Sequence, residues 1–521
     1  AAQRLPEAQT LKGLGAAPAG PRRHWIALVL IAAGALLAVA PPVFGVPVAA
    51  YVSVGLLLVG GITALPGLIA LVYDRLAPAV RSRLLPMLAV ERARRMRDTA
   101  AIAVSGVVAS LSLAVALTVM VASFRDSVTR WLDVVLPADL YLRSTPPGGA
   151  SGSNALADDR AGAFAPGLVR AITRLPGVAR VETTRTRTVS LDAAQPAVAV
   201  LARSFAGEAA KSLPLVGDAL PVPPGQVGIY VSEAMVDLYG ARPGTVFAPL
   251  SKAFGAAAPA GAAPVALFFV AGVWRDYVRQ FGSVVLDARD FERLTGDRSA
   301  SELSLWLSPG AAEAQVQAAV RGLVGRQRQE TPVAGAITAD TADATDATRV
   351  GGDGSADGSA PSPAGDTLAF ASTAQLRATS LRIFDRSFAV TYWLQAVAIA
   401  IGLFGVAASF SAQVLARRKE FGLLAHLGFT RRQVLAVVAG EGAAWTAIGA
   451  AAGLALGLAV AVVLVYVVNP QSFHWSMDLH LPWARLLALC AAVVAAGTGT
   501  AWLAGRAAGG HDAVLAVKED W

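Results

Sequence analysis

The sequence has little cysteine and little charge. Cys490 is the one cysteine among 521 residues, which excludes an internal disulfide and leaves nothing that indicates redox chemistry. Charged residues make up 15% of the chain, against about 25% in soluble domains. With 55% hydrophobic residues and a mean hydropathy of +0.54, the composition indicates an integral membrane protein.

The sequence also lacks the common catalytic motifs. Without a G-x-x-x-x-G-K-[ST] loop the chain cannot hydrolyse ATP by that route, and HExxH, CxxC and GxSxG are absent. His474 and His480 share one loop with Asp478, but a hydrated loop is favoured over a metal site because zinc needs three or four ligands. We therefore predict no catalytic, cofactor-binding or metal-binding residues. The net charge of +8 falls mostly beside hydrophobic runs, which argues against a nucleic-acid partner.

Six hydrophobic runs are each long enough to cross a hydrocarbon core, which takes about 20 residues. They lie at 25–43 and 47–73, which form a pair, and at 99–123, 387–414, 434–468 and 484–505. The predicted fold is therefore an α-helical transmembrane bundle of six helices.

Arginine alternates between the two sides of these runs. The short loops 41–47 and 469–483 contain no Lys or Arg, whereas the opposite segments are rich in Arg. By the positive-inside rule, the Arg-rich segments and both termini are cytoplasmic. The predicted cytoplasmic segments are a flexible lead-in at 1–24, an amphipathic segment at 74–98, a helix at 415–433 and a tail at 506–521.

Residues 124–386 are long enough to form a domain of their own outside the cytoplasm. Their alternating apolar and amphipathic patterns predict an α+β extracytoplasmic domain. Strands are predicted at 178–191, 196–202, 263–274, 282–288 and 302–308, and helices at 232–240, 288–296 and 309–325. Residues 331–367 have almost no large apolar side chains, which predicts a disordered insert. A helical pattern from Leu368 to Arg386 is expected to form a stalk leading into the fourth span.

The segment RRKEFGLLAHLGFTRR at 417–432 is too polar to enter a bilayer, yet it is amphipathic. Its apolar positions have helical spacing, which favours a surface helix that docks a partner. Gly428 is expected to end this helix as a C-terminal cap. The alternative is a surface helix whose basic residues only fix the topology. The predicted docking residues are Arg417, Arg418, Glu420, Phe421, Leu423, Leu424, Leu427, Gly428 and Arg431.

The fifth span carries two further features. Gly449, Gly453 and Gly457 form a stripe without side chains, where another helix can approach closely. Packing within the bundle is favoured over a dimerisation face. Glu441 is the one acid in this apolar stretch. Intramembrane acids are costly and often functional, the alternative being an acid that is hydrated or paired with an arginine at the boundary.

Several segments together resemble the FtsX/MacB-like permeases of ABC transporters, in particular the C-terminal half of a large permease with two external domains. The fifth span with Glu441 is one of them. The others are LAVERARRMRDTAAIAVSG (88–106), WLDVVLPADLYL (131–142), GVWRDYVRQFGSVVLDARDF (272–291), SLRIFDRSFAVTYWL (380–394), RRKEFGLLAHLGFTRRQ (417–433) and AVKEDW (516–521).

The resemblance implies a multi-pass permease of the bacterial inner membrane, with 124–386 in the periplasm and 415–433 as a coupling helix. The coupling helix would bind a separate cytoplasmic ABC ATPase, expected as a homodimer, which binds the ATP. Movement of the periplasmic domain would follow by mechanotransmission. The further expected partners are membrane lipid, a periplasmic carrier or enzyme, and either a missing N-terminal permease half or a second permease copy.

Two functions remain open at this stage. The first is export or extraction of lipid, lipoprotein or other hydrophobic cargo. The second is a transmembrane signalling transducer that regulates a periplasmic enzyme or sensor without transport. A translocator should expose an apolar cargo surface on its external domain, and a transducer a protein-docking patch.

Overall fold

The computed structural model describes residues 24–43, 45–80, 97–144, 163–205, 212–256, 266–330, 368–416 and 428–508. The chain divides into two compact units. We call residues 1–127 with 383–521 the helical unit, and residues 128–382 the sheet unit. The predicted insert at 331–367 and most of the predicted lead-in and tail lie outside the described residues.

In sequence order, long helices come first and last, and a run of strands and shorter helices lies between them. The helices are α1 His24–Ala38, α2 Val48–Val80, α3 Arg97–Val135, α4 Pro166–Thr173, α5 Glu233–Tyr239, α6 Ala248–Ala256, α7 Ala288–Thr295, α8 Glu313–Glu330, α9 Thr373–Ala416, α10 Arg431–Val463, a π-helix Leu464–Val468, α11 Asn469–Phe473 and α12 Trp483–Ala508. The strands are β1 Leu140–Ser144, β2 Val178–Val189, β3 Val198–Arg203, β4 Leu215–Val216, β5 Val227–Ser232, β6 Phe268–Trp274, β7 Ser283–Asp287, β8 Glu302–Leu307 and β9 Leu368–Ser372.

The helical unit contains the apolar spans of a multi-pass membrane protein. In the described residues, five helices are long and apolar enough to cross a membrane. They are Val48–Val72, Val104–Val135, Phe388–Val414, Arg431–Phe473 and Trp483–Arg506. The first of the six predicted spans corresponds to the shorter apolar helix Trp25–Ala38. That helix pairs with α2, where Ser53 Oγ donates to the carbonyl of Gly34 at 2.7 Å.

The sheet unit is built on one mixed sheet of nine strands in the order β4-β6-β5-β7-β3-β2-β8-β1-β9. The β3–β7 and β5–β6 pairs are parallel, and the other pairs are antiparallel. Helices and one mixed sheet in a single unit confirm the predicted α+β class.

Helices α4 to α8 cover one face of this sheet. Met235, Leu250 and Phe291 from α5, α6 and α7 are buried against the central strands. Ile172 and Val320 from α4 and α8 are buried against β1 and β8. Side chains alternate along a strand, so the remaining side chains of the strands, such as Leu201 and Val285, form the opposite face of the sheet. We call this opposite face the open face.

A β-bulge decides which side chains of β6 reach the open face. Ile229 pairs with Val270, but the next residue, Tyr230, pairs with Gly272, so one residue of β6 is left unpaired. A bulge reverses the alternation beyond it. Val270 therefore lies in the helix-covered core, whereas Trp274 packs with Leu201 and Val285 on the open face.

Two predicted elements differ from the structure. The helical stalk predicted from Leu368 is wrong at its start, because residues 368–372 form β9, which pairs with β1 before α9 begins. Leu368 and Phe370 lose water-exposed surface by packing against the core beneath β1. The helix predicted at 309–325 instead covers 313–330, because Gly310 has a φ of 84° and forms a turn after β8.

Candidate functional site

The predicted coupling segment is described only at its C-terminal end. Residues 417–427 lie outside the described residues, and they include Arg417, Arg418, Glu420, Phe421, Leu423, Leu424 and Leu427. Gly428 has a φ of 87°, the left-handed conformation that a glycine cap adopts. The docking role of the segment remains a prediction.

The start of α10 is fixed by its own side chains and by α12. Thr430 is the N-cap in a capping box with Gln433, whose Oε1 accepts from the Thr430 N–H at 2.8 Å. Nη2 of Arg431 donates to the carbonyl of Arg506 at 3.1 Å, close to the end of α12. This arrangement sets the direction in which the chain leaves Gly428 and enters the membrane.

The glycine stripe of the fifth span faces α3. A Cβ on Gly449 would come within 2.3 Å of Val104 Cγ1, and one on Gly457 within 2.6 Å of Val115 Cβ. Beside Gly453 the nearest atoms belong to Leu111. The stripe is therefore covered by a helix of the same chain.

Glu441 lies in the same helix and is buried, with 4% of its surface exposed. One turn along the helix, Trp445 is also fully buried, and Thr446 Oγ1 donates to the carbonyl of Gly442 at 2.7 Å. The alternatives for Glu441 were hydration at the boundary or pairing with an arginine. Its burial argues against full hydration, and its functional role stays a prediction.

The loop between α11 and α12 carries the two histidines weighed as metal ligands. The backbone N–H of His480 donates to Ser123 Oγ at 2.9 Å, and that of Asp478 donates to Ser127 Oγ at 3.2 Å. These bonds hold the loop against α3. Within the described ranges no three His, Cys, Asp or Glu side chains gather as a metal site would require.

A cleft of about 470 Å³ lies on the open face of the sheet unit, within the usual size range of ligand sites. Its floor is formed by side chains of β1, β2, β3, β7 and β8 that point away from the helix-covered core. Trp131, Leu132 and Val135 of α3, with Leu376 of α9, form another wall. The cleft lies wholly within residues 128–382, and most of its lining is apolar.

Three arginines and one glutamate line this cleft. Arg143 is paired with Glu302, with Nε to Oε1 at 2.8 Å. Arg279 is paired with the buried Asp276 at 3.2 Å. Half-buried Arg203, at the end of β3, forms no ion pair with any residue that the structure describes. One uncompensated positive charge therefore faces the cleft.

Two further polar groups belong to the cleft. Burial raises the pKa of Tyr141 to about 12, although its hydrogen bond with Ala138 and the nearby charge of Arg203 oppose that shift. The Tyr141 hydroxyl accepts from the Ala138 N–H at 3.0 Å, so its own proton remains available to donate. Trp274 is 3% exposed, and its indole N–H has no acceptor among the described residues.

A short loop between β6 and β7 forms part of the rim. Asp276 holds it by accepting from the N–H of Val278 at 3.0 Å and from Ser283 Oγ at 2.7 Å. The loop exposes Val278 by 64% and Phe281 by 56%, and Val278 also lines the cleft. A fixed loop thus presents apolar side chains to water beside an apolar cleft.

The sequence contained a partial signal for this cleft. In VAVLAR at 198–203, alternation places Leu201 and Arg203 on one face and the valines on the other. Sequence reasoning identified the strand but not this face. It could not have placed Tyr141 or Trp274 there, because those positions depend on distant pairing and on the bulge in β6.

Comparison with known proteins gives a family match in the C-terminal part. Residues 394–513 match the family model described as FtsX-like permease C-terminal. The chain is 26% identical over 475 residues to the uncharacterized ABC transporter permease protein Rv0987 of Mycobacterium tuberculosis. The alignment covers 85% of this chain and 46% of that protein, so the chain spans just under half the length of this relative. The predicted resemblance to FtsX/MacB-like permeases is confirmed.

Two solved structures also match. One is the extracellular domain of the noncanonic ABC-type transporter YknZ from Gram-positive bacteria, with 11% identity, a TM-score of 0.24 and coverage of 36% of this chain and 94% of that one. The other is the periplasmic region of MacB from Actinobacillus actinomycetemcomitans, with 9% identity, a TM-score of 0.26 and coverage of 38% and 87%.

Proposed function

We propose that the chain is the non-catalytic membrane subunit of an ABC transporter. The proposal is based on the match of residues 394–513 to the FtsX-like permease C-terminal family. A separate cytoplasmic ATPase, as a homodimer, binds and hydrolyses the ATP. The segment 415–433 is its coupling helix. The family match carries this proposal, and the apolar spans of the helical unit support it.

The course of two helices supports mechanical coupling. The boundary between the helical unit and the sheet unit falls inside α3, after Ser127, and inside α9, before Ile383. A continuous helix transmits displacement along its axis because each turn is hydrogen-bonded to the next. Movement driven by ATP at the cytoplasmic end would therefore reach the sheet unit through both helices.

The cleft favours transport of hydrophobic cargo over signalling. A translocator was expected to expose an apolar cargo surface on its external domain, and the mostly apolar cleft of about 470 Å³ on the open face supports that interpretation. We propose export or extraction of a lipid, lipoprotein or other hydrophobic cargo. As a further partner of the chain we propose either another permease half or a second copy of this chain.

The proposed location is the inner membrane, with the sheet unit in the periplasm and both termini in the cytoplasm. In a Cys490→Ser background, we expect Lys252→Cys, which is exposed in the sheet unit, to react with an impermeant maleimide in intact spheroplasts. Arg432→Cys, exposed at the start of α10, should react only after permeabilisation. The reverse pattern would overturn this orientation.

A direct test of the proposed function is the source of ATPase activity. The purified chain should hydrolyse no ATP, since its sequence has no phosphate loop. Affinity purification of the tagged chain from native membranes should bring down a protein that is labelled by azido-ATP and restores hydrolysis. Hydrolysis by the chain alone, with contaminants excluded, or the absence of any nucleotide-binding partner would refute the proposal.

A further inference from the structure

The cleft on the open face combines apolar walls with Arg203, which forms no ion pair with a carboxylate in the part of the chain that the structure describes. Arg143 and Arg279 are engaged by Glu302 and Asp276. The residue opposite Arg203 in the β3–β7 register is Asp287, but its carboxylate accepts from the Arg289 backbone at 2.8 Å and caps α7. Among the described residues, Arg203 is therefore the arginine of the cleft that has no carboxylate within ion-pair distance.

A half-buried cation beside an apolar surface is costly unless an anion completes it. A guanidinium offers planar, forked donors that match a carboxylate or a phosphate. Tyr141, which also lines the cleft, has a hydroxyl proton to donate. Arg203 and Tyr141 thus supply donors, as an oxygen-rich anionic head group requires.

The apolar part suits a hydrocarbon chain. Leu201, Leu213 and Val285 lie side by side on the open face, together with Trp274. Val278 and Phe281 at the rim add apolar surface, and both side chains are exposed to water. Covering these surfaces with a flexible alkyl chain would remove apolar area from water.

We propose that this cleft binds one acyl chain of an anionic amphiphile, with the carboxylate of its head group on Arg203 and the hydrocarbon along Leu201, Leu213 and Val285. As the cargo of the permease, this ligand rests on the proposed function. Binding to the cleft does not need the ATPase, so the two proposals can fail independently.

The test uses the full chain in phosphatidylcholine nanodiscs, without ATPase, and a diazirine-bearing long-chain fatty acid as the probe. After illumination, mass spectrometry should find the label on peptides that contain Leu201, Leu213 or Val285. Unlabelled oleate should compete. Oleyl alcohol and oleylamine, which have the same chain without the negative charge, should compete at least about tenfold less well, because one charge-assisted hydrogen-bonded contact is lost.

Three variants separate charge, space and fold. Arg203→Ala should reduce labelling of the cleft about tenfold, and Arg203→Lys should restore most of it because the positive charge returns. Ala371→Trp, on the outermost strand, should abolish labelling by filling the cleft. Arg242→Ala removes an exposed arginine that does not line the cleft, and it should label as the wild type does. Equal melting temperatures will show that each variant is folded.

Several results would overturn the proposal. One is a label found only on the membrane-spanning helices, as simple partition into the bilayer would give. Another is equal competition by oleylamine and oleate, since a cationic amphiphile should not choose Arg203. Undiminished labelling of folded Arg203→Ala would also remove the assigned head-group site.

Discussion

Replacing Gly457 with alanine is expected to destabilise the helical unit by about 1–3 kcal/mol, the usual cost of overpacking a close contact. The added Cβ would lie 2.6 Å from Val115 Cβ and 2.7 Å from the carbonyl oxygen of Ser112. The backbone oxygen cannot rotate away as a side chain can, so α3 and α10 must move apart. Separating them also exposes the buried contacts between Val115 and the fifth span.

A matched control lies in the same helix. A Cβ on Gly440 would meet no atom within 4 Å, so Gly440→Ala should leave stability unchanged or raise it slightly through helix propensity. The readout is the temperature at which the detergent-purified protein loses its monodisperse peak in size-exclusion chromatography. If Gly457→Ala and Gly440→Ala melt alike, the stripe does not pack as closely on α3 as the structure shows.

Local patterns predicted the strands of the sheet unit well where they were long or strongly alternating. The predicted strands at 178–191 and 302–308 match β2 and β8 within two residues. The short strands β1 and β9 escaped prediction because five residues carry little periodic signal. The two strands pair with each other, with Leu140 opposite Ser372, although they lie far apart in the sequence. A local sequence pattern cannot encode such a distant pairing.

The cleft was beyond prediction for a related reason. Alternation gives the two faces of a strand, but it does not say which strands are neighbours. Leu201 and Val285 become neighbours only through the parallel β3–β7 pair, and Trp274 joins them only because a bulge reverses β6. The glycine stripe was more accessible to sequence reasoning, since a regular spacing of small residues within one helix defines a face wherever its partner lies.

Replacing Leu424 and Leu427 together with aspartate is expected to abolish the complex with the ATPase. Helix-in-groove docking draws its energy from apolar anchors at helical spacing. Two carboxylates in an apolar groove would cost on the order of several kcal/mol. Because each 1.4 kcal/mol corresponds to about a tenfold change in affinity, binding should weaken more than about a hundredfold.

The matched control is Arg431→Ala at the end of the same segment. An exposed charge contact is worth at most about 1 kcal/mol, and in the described part of the chain the Arg431 guanidinium donates to the Arg506 carbonyl at 3.1 Å. We therefore expect this variant to retain the complex. Both variants should melt as the wild type does, since positions 424 and 427 precede the fifth span and Arg431 is an exposed residue at its very start.

The measurement is co-purification of the ATPase that accompanies the wild-type chain, together with the rate of ATP hydrolysis that the chain stimulates. The coupling role predicts that the double aspartate variant loses both and that Arg431→Ala keeps both. If the double variant binds the ATPase and stimulates it at the wild-type level, residues 417–432 serve only to fix the topology, as the alternative interpretation of their basic residues holds. Loss of the complex in Arg431→Ala alone would instead place the docking energy in the charges, because apolar anchors would then be intact without sufficing for binding.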